Sequence, residues 1–174
     1  MKASKASRSR PCSLAKIRAL RPCAPRRTVE PMSKEADRII DLLNLAPHPE
    51  GGHYAQTWVA EGSGRPAGTC IYFLLQGHEH NQWHKVDAAE IWHFYAGAPL
   101  DLFVAPTHEG PATRHRLGAD LASGARPQVI VPPGHWQRAA STGAYTLVGC
   151  SVSPGFQFEH FQLAPAGFDI PVTP

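Results

Sequence analysis

Residues 83–97 read WHKVDAAEIWHFYAG, two β-rich runs on either side of a short turn. Side chains alternate along a strand, so Glu90 and Trp92 share one face of the second run, and His93 points the other way. His84 lies near the end of the first run, and Glu90 begins the second. An imidazole and a carboxylate therefore bracket a hairpin, where they can converge on one face.

Outward from this hairpin, short β-rich runs separated by turn residues continue along the chain. A single amphipathic helix precedes them, from Ser33 or Lys34 to Asn44, where Pro47 prevents its continuation. Regularly spaced short strands indicate an all-β sandwich or barrel, and closure into a jelly-roll barrel removes exposed sheet edges. The predicted strands are 54–59, 69–75, 82–86, 90–95, 100–105, 113–117, 128–131, 136–140, 145–152 and 158–163.

Composition limits the classes of protein that the chain can represent. With 174 residues, 43% hydrophobic, it suits one domain with a core. No apolar run reaches the roughly 20 residues of a spanning helix, which excludes an integral membrane protein. The net charge of +3 is unevenly distributed: residues 1–31 hold nine Lys or Arg and one acid, leaving eight basic and thirteen acidic side chains beyond. This mildly acidic body predicts no nucleic-acid partner.

Residues 1–31 differ from the rest of the chain in charge and in their content of aromatic residues and His. Residues 1–31 contain no aromatic side chain, and all ten His lie beyond them. Such a basic segment cannot bury enough apolar surface to fold, so we expect a disordered tail at 1–32 and a domain at 33–174. A translation start at Met32 and an organelle targeting segment are both alternatives.

Only two cysteines, Cys70 and Cys150, lie in the body, each inside an apolar run. Their spacing is unlike that of a zinc site. Two buried, reduced thiols are typical of a cytoplasmic protein, and we expect that location.

Two further patterns identify a resemblance to the cupin superfamily. Its first motif is His, any residue, His, three or four residues, Glu, six residues, Gly; its second is Pro, any residue, Gly, two residues, His. The corresponding positions here are His84, Val86, Glu90 and Gly97, then Pro132, Gly134 and Gln137. Segments at 47–54, 71–75, 90–95, 99–100, 127–128, 148–150 and 154–156 resemble one branch, the cupin family of predicted sugar epimerases. The resemblance covers about residues 36–163 and implies a double-stranded β-helix.

The resemblance also bears on metal binding. Cupins generally hold iron, manganese or nickel with the two His and the Glu of the first motif and the His of the second. Val86 and Gln137 replace two of these imidazoles, and neither is a comparable donor for late first-row metals. We therefore predict no metal cofactor, with a divalent metal held by His84, Glu90 and Gln137 as the alternative.

Proton transfer requires fewer groups. An epimerase or isomerase acting beside a carbonyl needs a base on one face of its substrate and an acid on the other. His84, oriented and kept basic by Glu90, is the predicted base, and Tyr72 the candidate acid. A metal-dependent oxygenase or isomerase and a non-catalytic binding protein remain as alternatives.

The expected partner is a small polar molecule such as a sugar or nucleotide sugar. Alternation turns His93 away from Glu90, but we keep it as a candidate, together with the carboxylate of Glu50, which glycines flank. The resemblance also implies a homodimer, because cupins commonly pair through edge strands and a free sheet edge can bind a second copy. The candidate ligand-binding residues are Gln137, Glu50, Trp92, His135 and His93.

Overall fold

A computed structural model describes residues 32–173 of the chain. Helix α1 spans Met32–Leu43, close to the predicted bounds. Asn44 then adopts a φ of 51°, in the left-handed region that commonly follows a helix. The tail predicted at 1–32 lies outside the described residues, apart from Met32, which belongs to α1.

Eleven strands follow the helix in the described part of the chain. They are β1 Ala46–Pro47, β2 His53–Val59, β3 Thr69–Gln76, β4 His84–Val86, β5 Ala89–Gly97, β6 Leu100–Ala105, β7 Thr113–Leu117, β8 Gln128–Val131, β9 Trp136–Ser141, β10 Tyr145–Ser153 and β11 Phe161–Leu163. A short 3₁₀ turn at Leu121–Ser123 precedes β8, and another at Phe158–His160 precedes β11.

The strands form two antiparallel sheets. The larger has the order β1-β2-β3-β10-β5-β8, and the smaller β11-β4-β9-β6-β7. Neighbours within each sheet are mostly distant in sequence: β3 and β5 both pair with β10, and β4 pairs with β9 through His84 and Gln137. This arrangement confirms the predicted all-β jelly roll.

The main core lies between the inner faces of the two sheets. Phe73 and Trp92 of the larger sheet pack with Leu102 and Ala139 of the smaller one, all at most 1% exposed. In β5, burial alternates as predicted, so Glu90 and Trp92 face inward. Facing sheets with alternating inward side chains are the usual way to build such a core.

Outer layers cover part of each sheet. Helix α1 packs through Ala36 on Leu74 and on Tyr72, on the outer side of the larger sheet. The C-terminal segment places Ile170 against Trp83 and other side chains beneath the smaller sheet. Across residues 32–173, no helix combines the length and apolar character needed to cross a membrane.

Two predicted strands are shorter than expected. The prediction of a strand at 158–163 is wrong in its first half, because Phe158–His160 forms a 3₁₀ turn before β11 begins. Alternating apolar residues there do not mark a strand, since Phe156 and Phe158 instead pack edge to face at 5.0 Å. The strand predicted at 82–86 begins only at His84, as β4. The backbone N–H of Gln82 instead donates to the carbonyl of Glu50, in the loop between β1 and β2.

Candidate functional site

A cavity of about 150 Å³ opens between the sheets at the end where β2, β3, β4, β5 and β10 meet. Two imidazoles and two carboxylates line it: His48, His84, Glu50 and Glu90. The remaining wall is mostly aromatic and apolar. The structure therefore encloses the His84 and Glu90 of the central hairpin in one cavity, as their pattern predicted.

The loop between β1 and β2 carries Glu50 into this cavity. Gly51 and Gly52 adopt φ values of 106° and 74°, which a residue with a side chain rarely adopts. A Cβ on Gly52 would also lie 2.8 Å from the carbonyl oxygen of Leu74. These glycines thus let the loop pack closely on β3 and turn the carboxylate inward.

Asn81 fixes the orientation of that carboxylate. Its Oδ1 accepts the backbone N–H of Ala139, which leaves Nδ2 to donate to Oε1 of Glu50 at 2.9 Å. Asn81 is fully buried, and Glu50 is 6% exposed. The second oxygen, Oε2, therefore faces the cavity in a defined position.

His84 faces this second oxygen. Its Nδ1 lies 2.9 Å from the carbonyl oxygen of Gln82, and a carbonyl can only accept, so Nδ1 carries a proton. Nε2 of His84 lies 3.4 Å from Oε2 of Glu50. Nδ1 already carries a proton, so the pair can hold one further proton, on Oε2 or on Nε2. On Oε2 it gives a neutral acid beside a neutral imidazole, and on Nε2 it gives an ion pair.

Burial decides between these two forms. Loss of hydration raises the pKa of Glu50 from 4.5 to about 7, although His48 and the Asn81 hydrogen bond act in the opposite direction. Burial likewise lowers the pKa of His84, against the attraction of Glu90 and the Gln82 hydrogen bond. Near neutral pH, burial therefore favours the neutral pair, with the proton on Glu50 and a lone pair on Nε2 of His84.

His48 lies on the other side of Glu50. Its Nδ1 is 3.6 Å from Oε2 of Glu50, and the backbone N–H of Glu50 points to the same nitrogen at 3.4 Å. Its ring packs edge to face on Tyr54 and Phe73. Burial lowers the pKa of His48, so a second neutral imidazole lines the cavity.

Glu90 is held from behind by Gln137. Trp92 can only donate through its indole nitrogen, and does so to Oε1 of Gln137 at 2.9 Å. The Gln137 amide nitrogen then donates to Oε2 of Glu90. Burial raises the pKa of Glu90, with His84 opposing and Glu50 reinforcing the effect. Burial also raises the pKa of the adjacent Cys150 thiol, well above its usual value.

The other predicted residues occupy different places. Trp92 lines the cavity, whereas Gln137 is fully buried with its amide used by Trp92 and Glu90. Tyr72 packs on the outer side of the sheet beside Tyr95, and the rings are 6.1 Å apart. His93 is also on the outer side, 3.3 Å from the hydroxyl of Ser151.

His135 sits in the turn before β9, with Nδ1 3.3 Å from the carbonyl of Pro133, and does not line the cavity. Conversely, His48 and Asn81 belong to the site and were not predicted. The alternation of His48 with Glu50 was a usable signal, because both precede the glycine pair. Nothing in the sequence near Asn81 indicates its role, since its partners are distant in the chain.

A metal does not fit the residues at the cupin ligand positions. Val86 provides no donor, and both amide atoms of Gln137 are engaged in hydrogen bonds. Nδ1 of His48 faces a backbone N–H, which competes with any cation for its lone pair. Among residues 32–173, no three His, Cys, Asp or Glu side chains are arranged so that they could hold a metal ion.

Two antiparallel sheets around a cavity lined by the residues of the first cupin motif define a cupin-fold domain. The chain belongs to the cupin superfamily (DUF985), whose family model matches residues 37–164.

Solved structures extend this comparison. A protein from Shewanella oneidensis is 41% identical with a TM-score of 0.70, over 74% of this chain and 84% of that one. A hypothetical protein from Leishmania major is 29% identical with a TM-score of 0.70, over 76% and 89%. An uncharacterized protein with a double-stranded beta-helix domain from Klebsiella pneumoniae, 14% identical with a TM-score of 0.51 over 72% and 94%, supports the fold alone. A search of curated proteins finds no match.

Proposed function

We propose that this cupin domain binds a small molecule in its cavity and transfers protons on it without a metal, as an isomerase or epimerase does. The observation that carries the proposal is the buried contact between Oε2 of Glu50 and Nε2 of His84. A carboxylic acid with a pKa of about 7 beside a neutral imidazole is suited to acid–base catalysis near neutral pH.

The pair provides both groups that the reaction requires. Nε2 of His84 removes the proton from a carbon beside a carbonyl, so that a C–H bond breaks and an N–H bond forms. The electrons move onto the carbonyl oxygen, which takes the proton of Glu50 and gives an enol. In a hydroxy ketone, the His84 imidazolium then returns its proton to the neighbouring carbon while the Glu50 carboxylate takes the proton of the other hydroxyl, which yields the isomer and restores both groups. Epimerisation additionally needs a proton donor on the opposite face of the first carbon. Glu50 thus takes the role that the sequence suggested for Tyr72.

Other residues position this pair. Asn81 holds Oε1 of Glu50, and the carbonyl of Gln82 holds Nδ1 of His84, so that Oε2 and Nε2 remain for the substrate. The negative charge of ionised Glu90 would favour the imidazolium that forms during the reaction. The aromatic wall excludes water, which strengthens each of these electrostatic interactions.

Exchange of substrate hydrogen for solvent deuterium, followed by NMR, tests the proposal. The probes are keto-sugars of three to six carbons, each with and without an amino group. The wild-type protein should introduce deuterium beside the carbonyl of at least one probe, and Glu50→Gln should lose this activity.

A matched control is available in a second His–Glu pair. Nδ1 of His53 lies 4.0 Å from Oε1 of Glu79, outside the cavity. Glu79→Gln should exchange deuterium as the wild type does. Binding of a probe without any exchange would instead identify the chain as a non-catalytic binding protein. Stoichiometric metal that is lost in His84→Ala would favour the metal-dependent alternative.

The homodimer also stays a prediction. Strand β8 ends the larger sheet, and Ile130 on it is 60% exposed, so an open edge with an apolar side chain is available to a second copy. Light scattering on the purified protein should give twice the mass of the chain, and a monomer mass would contradict the prediction. A cytoplasmic location and the lack of a nucleic-acid partner likewise stay predictions.

A further inference from the structure

The cavity is lined by acidic side chains without any Lys or Arg to balance them. Among its lining residues, two carry carboxylates and two carry imidazoles, and none is Lys or Arg. A phosphate or carboxylate ligand would therefore meet Glu50 and Glu90 with no cation to offset the repulsion. The cavity volume of about 150 Å³ is also below the range of sites for larger ligands. A nucleotide sugar does not suit such a site.

The carboxylates are not fully used by the protein. Within residues 32–173, Oε2 of Glu50 receives no hydrogen bond from a backbone or amide N–H, and its near neighbours are the imidazoles of His84 and His48. For Glu90, the amide of Gln137 engages only Oε2, and the other neighbouring donor is the Cys150 thiol, a weak donor. Nε2 of neutral His84 is a further acceptor, because Nδ1 carries the proton. Once Glu50 is ionised, several buried acceptors thus face one cavity that has no Lys or Arg among its lining residues.

Aromatic rings surround these acceptors. Phe161 lies 5.6 Å from the ring of His84 and 6.3 Å from that of His48. Phe73 and Trp92 pack edge to face at 5.9 Å on the opposite sheet. The faces of aromatic rings carry partial negative charge and attract cations, most strongly where water is excluded.

We propose that the ligand of this cavity is a small organic cation, an ammonium group attached to an apolar or sugar-like body. The ammonium donates to Oε2 of Glu50, to Glu90 and to Nε2 of His84, and the aromatic wall encloses the rest. This inference rests on the proposed function for the site, and it adds the charge class of the ligand.

Binding of a cation should be coupled to loss of a proton. The titratable groups that face Glu50 are His48, His84, Glu90 and Cys150, and none of them supplies a resident positive charge near neutral pH. A bound ammonium favours the ionised carboxylate, so Glu50 releases its proton. Below a pH of about 7, affinity should then fall by up to tenfold for each pH unit.

Calorimetry with three probes of one shape tests the charge class. They are benzylammonium, benzyl alcohol and benzoate, each titrated into the full-length protein at pH 6 and pH 8. Benzylammonium should bind about tenfold more tightly than the alcohol at pH 8, as a hydrogen bond between charged groups predicts, and benzoate should not bind. Affinity for benzylammonium should be about tenfold weaker at pH 6, with a binding enthalpy that depends on the buffer. Equal affinity for all three probes would overturn the inference.

Variants locate the effect. Glu50→Gln should lose the pH dependence and bind benzylammonium no more tightly than the alcohol. Phe161→Leu keeps an apolar side chain and should weaken benzylammonium more than the alcohol, so it tests the inference even where Glu50→Gln folds poorly. Glu159→Gln is the matched control, because Glu159 is exposed beside the cavity and not part of its lining. A change in Glu159→Gln as large as in Glu50→Gln would contradict a site within the cavity.

The inference and the proposed function can fail separately. Cation-selective binding without deuterium exchange on any probe supports the charge class and overturns proton transfer. Deuterium exchange on a neutral keto-sugar, together with no preference for benzylammonium, supports proton transfer and overturns the charge class.

Discussion

Two His–Glu contacts in this protein differ mainly in their access to water. The side chains of His84 and Glu50 are 3% and 7% exposed, whereas those of His53 and Glu79 are 21% and 22% exposed. Burial penalises charge and weakens screening, so the first contact holds a poised proton in a cavity. The second lies beside the β2–β3 sheet, outside the cavity, and both of its side chains are partly exposed. The burial of a His–Glu contact, and not the identity of its two residues, therefore determines the pKa values of its groups.

The largest expected effect is on proton transfer. His84→Gln keeps a polar side chain but cannot act as a base, and should reduce the rate of deuterium exchange by about 10²- to 10⁴-fold. His53→Gln changes the exposed contact in the same way and should leave the rate unchanged. Rates are measured by NMR on the best probe, and an equal loss in both variants would remove the distinction between the two contacts.

The next effect concerns stability against pH. The pKa of Glu50 is raised from 4.5 to about 7 in the folded state, so its contribution is fully present below pH 4.5 and is lost as pH rises through 7. At about 1.4 kcal/mol per pH unit, the contribution lost is about 3 kcal/mol. The lowered pKa values of His48 and His84 act in the opposite direction, since their contribution is lost as pH falls below 6.5.

Comparison with a variant separates Glu50 from these imidazoles. Relative to wild type, Glu50→Gln should gain up to about 3 kcal/mol in the free energy of unfolding between pH 4.5 and 7, from the same linkage. Glu79→Gln is the control and should show a much smaller change. Urea unfolding at several pH values measures both, and parallel curves for Glu50→Gln and wild type would contradict the buried proton.

A smaller effect is expected at Gln137, where burial again distinguishes two chemically equal side chains. Gln137→Leu leaves the indole N–H of Trp92 and a carboxylate oxygen of Glu90 without a partner, which should cost about 1–3 kcal/mol of stability. Gln162→Leu on β11 replaces an exposed amide and should change stability by less than about 0.5 kcal/mol. Thermal unfolding measures both, and equal costs would contradict a structural role for the Gln137 amide.

The smallest effect is expected at Tyr72, on the outer side of the larger sheet. Tyr72→Phe should leave deuterium exchange unchanged and alter stability by less than about 0.5 kcal/mol. Since Tyr72 was the acid suggested by the sequence, a loss of exchange in this variant would show that the outer side of the sheet contributes to the reaction.

Sequence patterns predicted some of the site and missed the rest for physical reasons. Alternation correctly placed Glu90 and Trp92 on an inner face, because the two-residue period of a strand is a local property. It could not pair Glu50 with His84, since no local rule relates residues on separate elements. It also could not show that the amide of Gln137 is satisfied within the protein, which depends on the packing of β5 against β9.

The sequence was sufficient for helix α1, for most of the strands and for the inward direction of the central hairpin, because alternation and turn propensity are properties of a few neighbouring residues. The cupin class was indicated by a resemblance of its motifs to a known family. Only the packing of distant elements brings His84 into contact with Glu50 and lets Asn81 orient the carboxylate. It also places the aromatic rings of Phe156, Phe158 and Phe161 in the cavity wall. Those outcomes depend on contacts between distant parts of the chain and on the exclusion of water, neither of which a local pattern encodes.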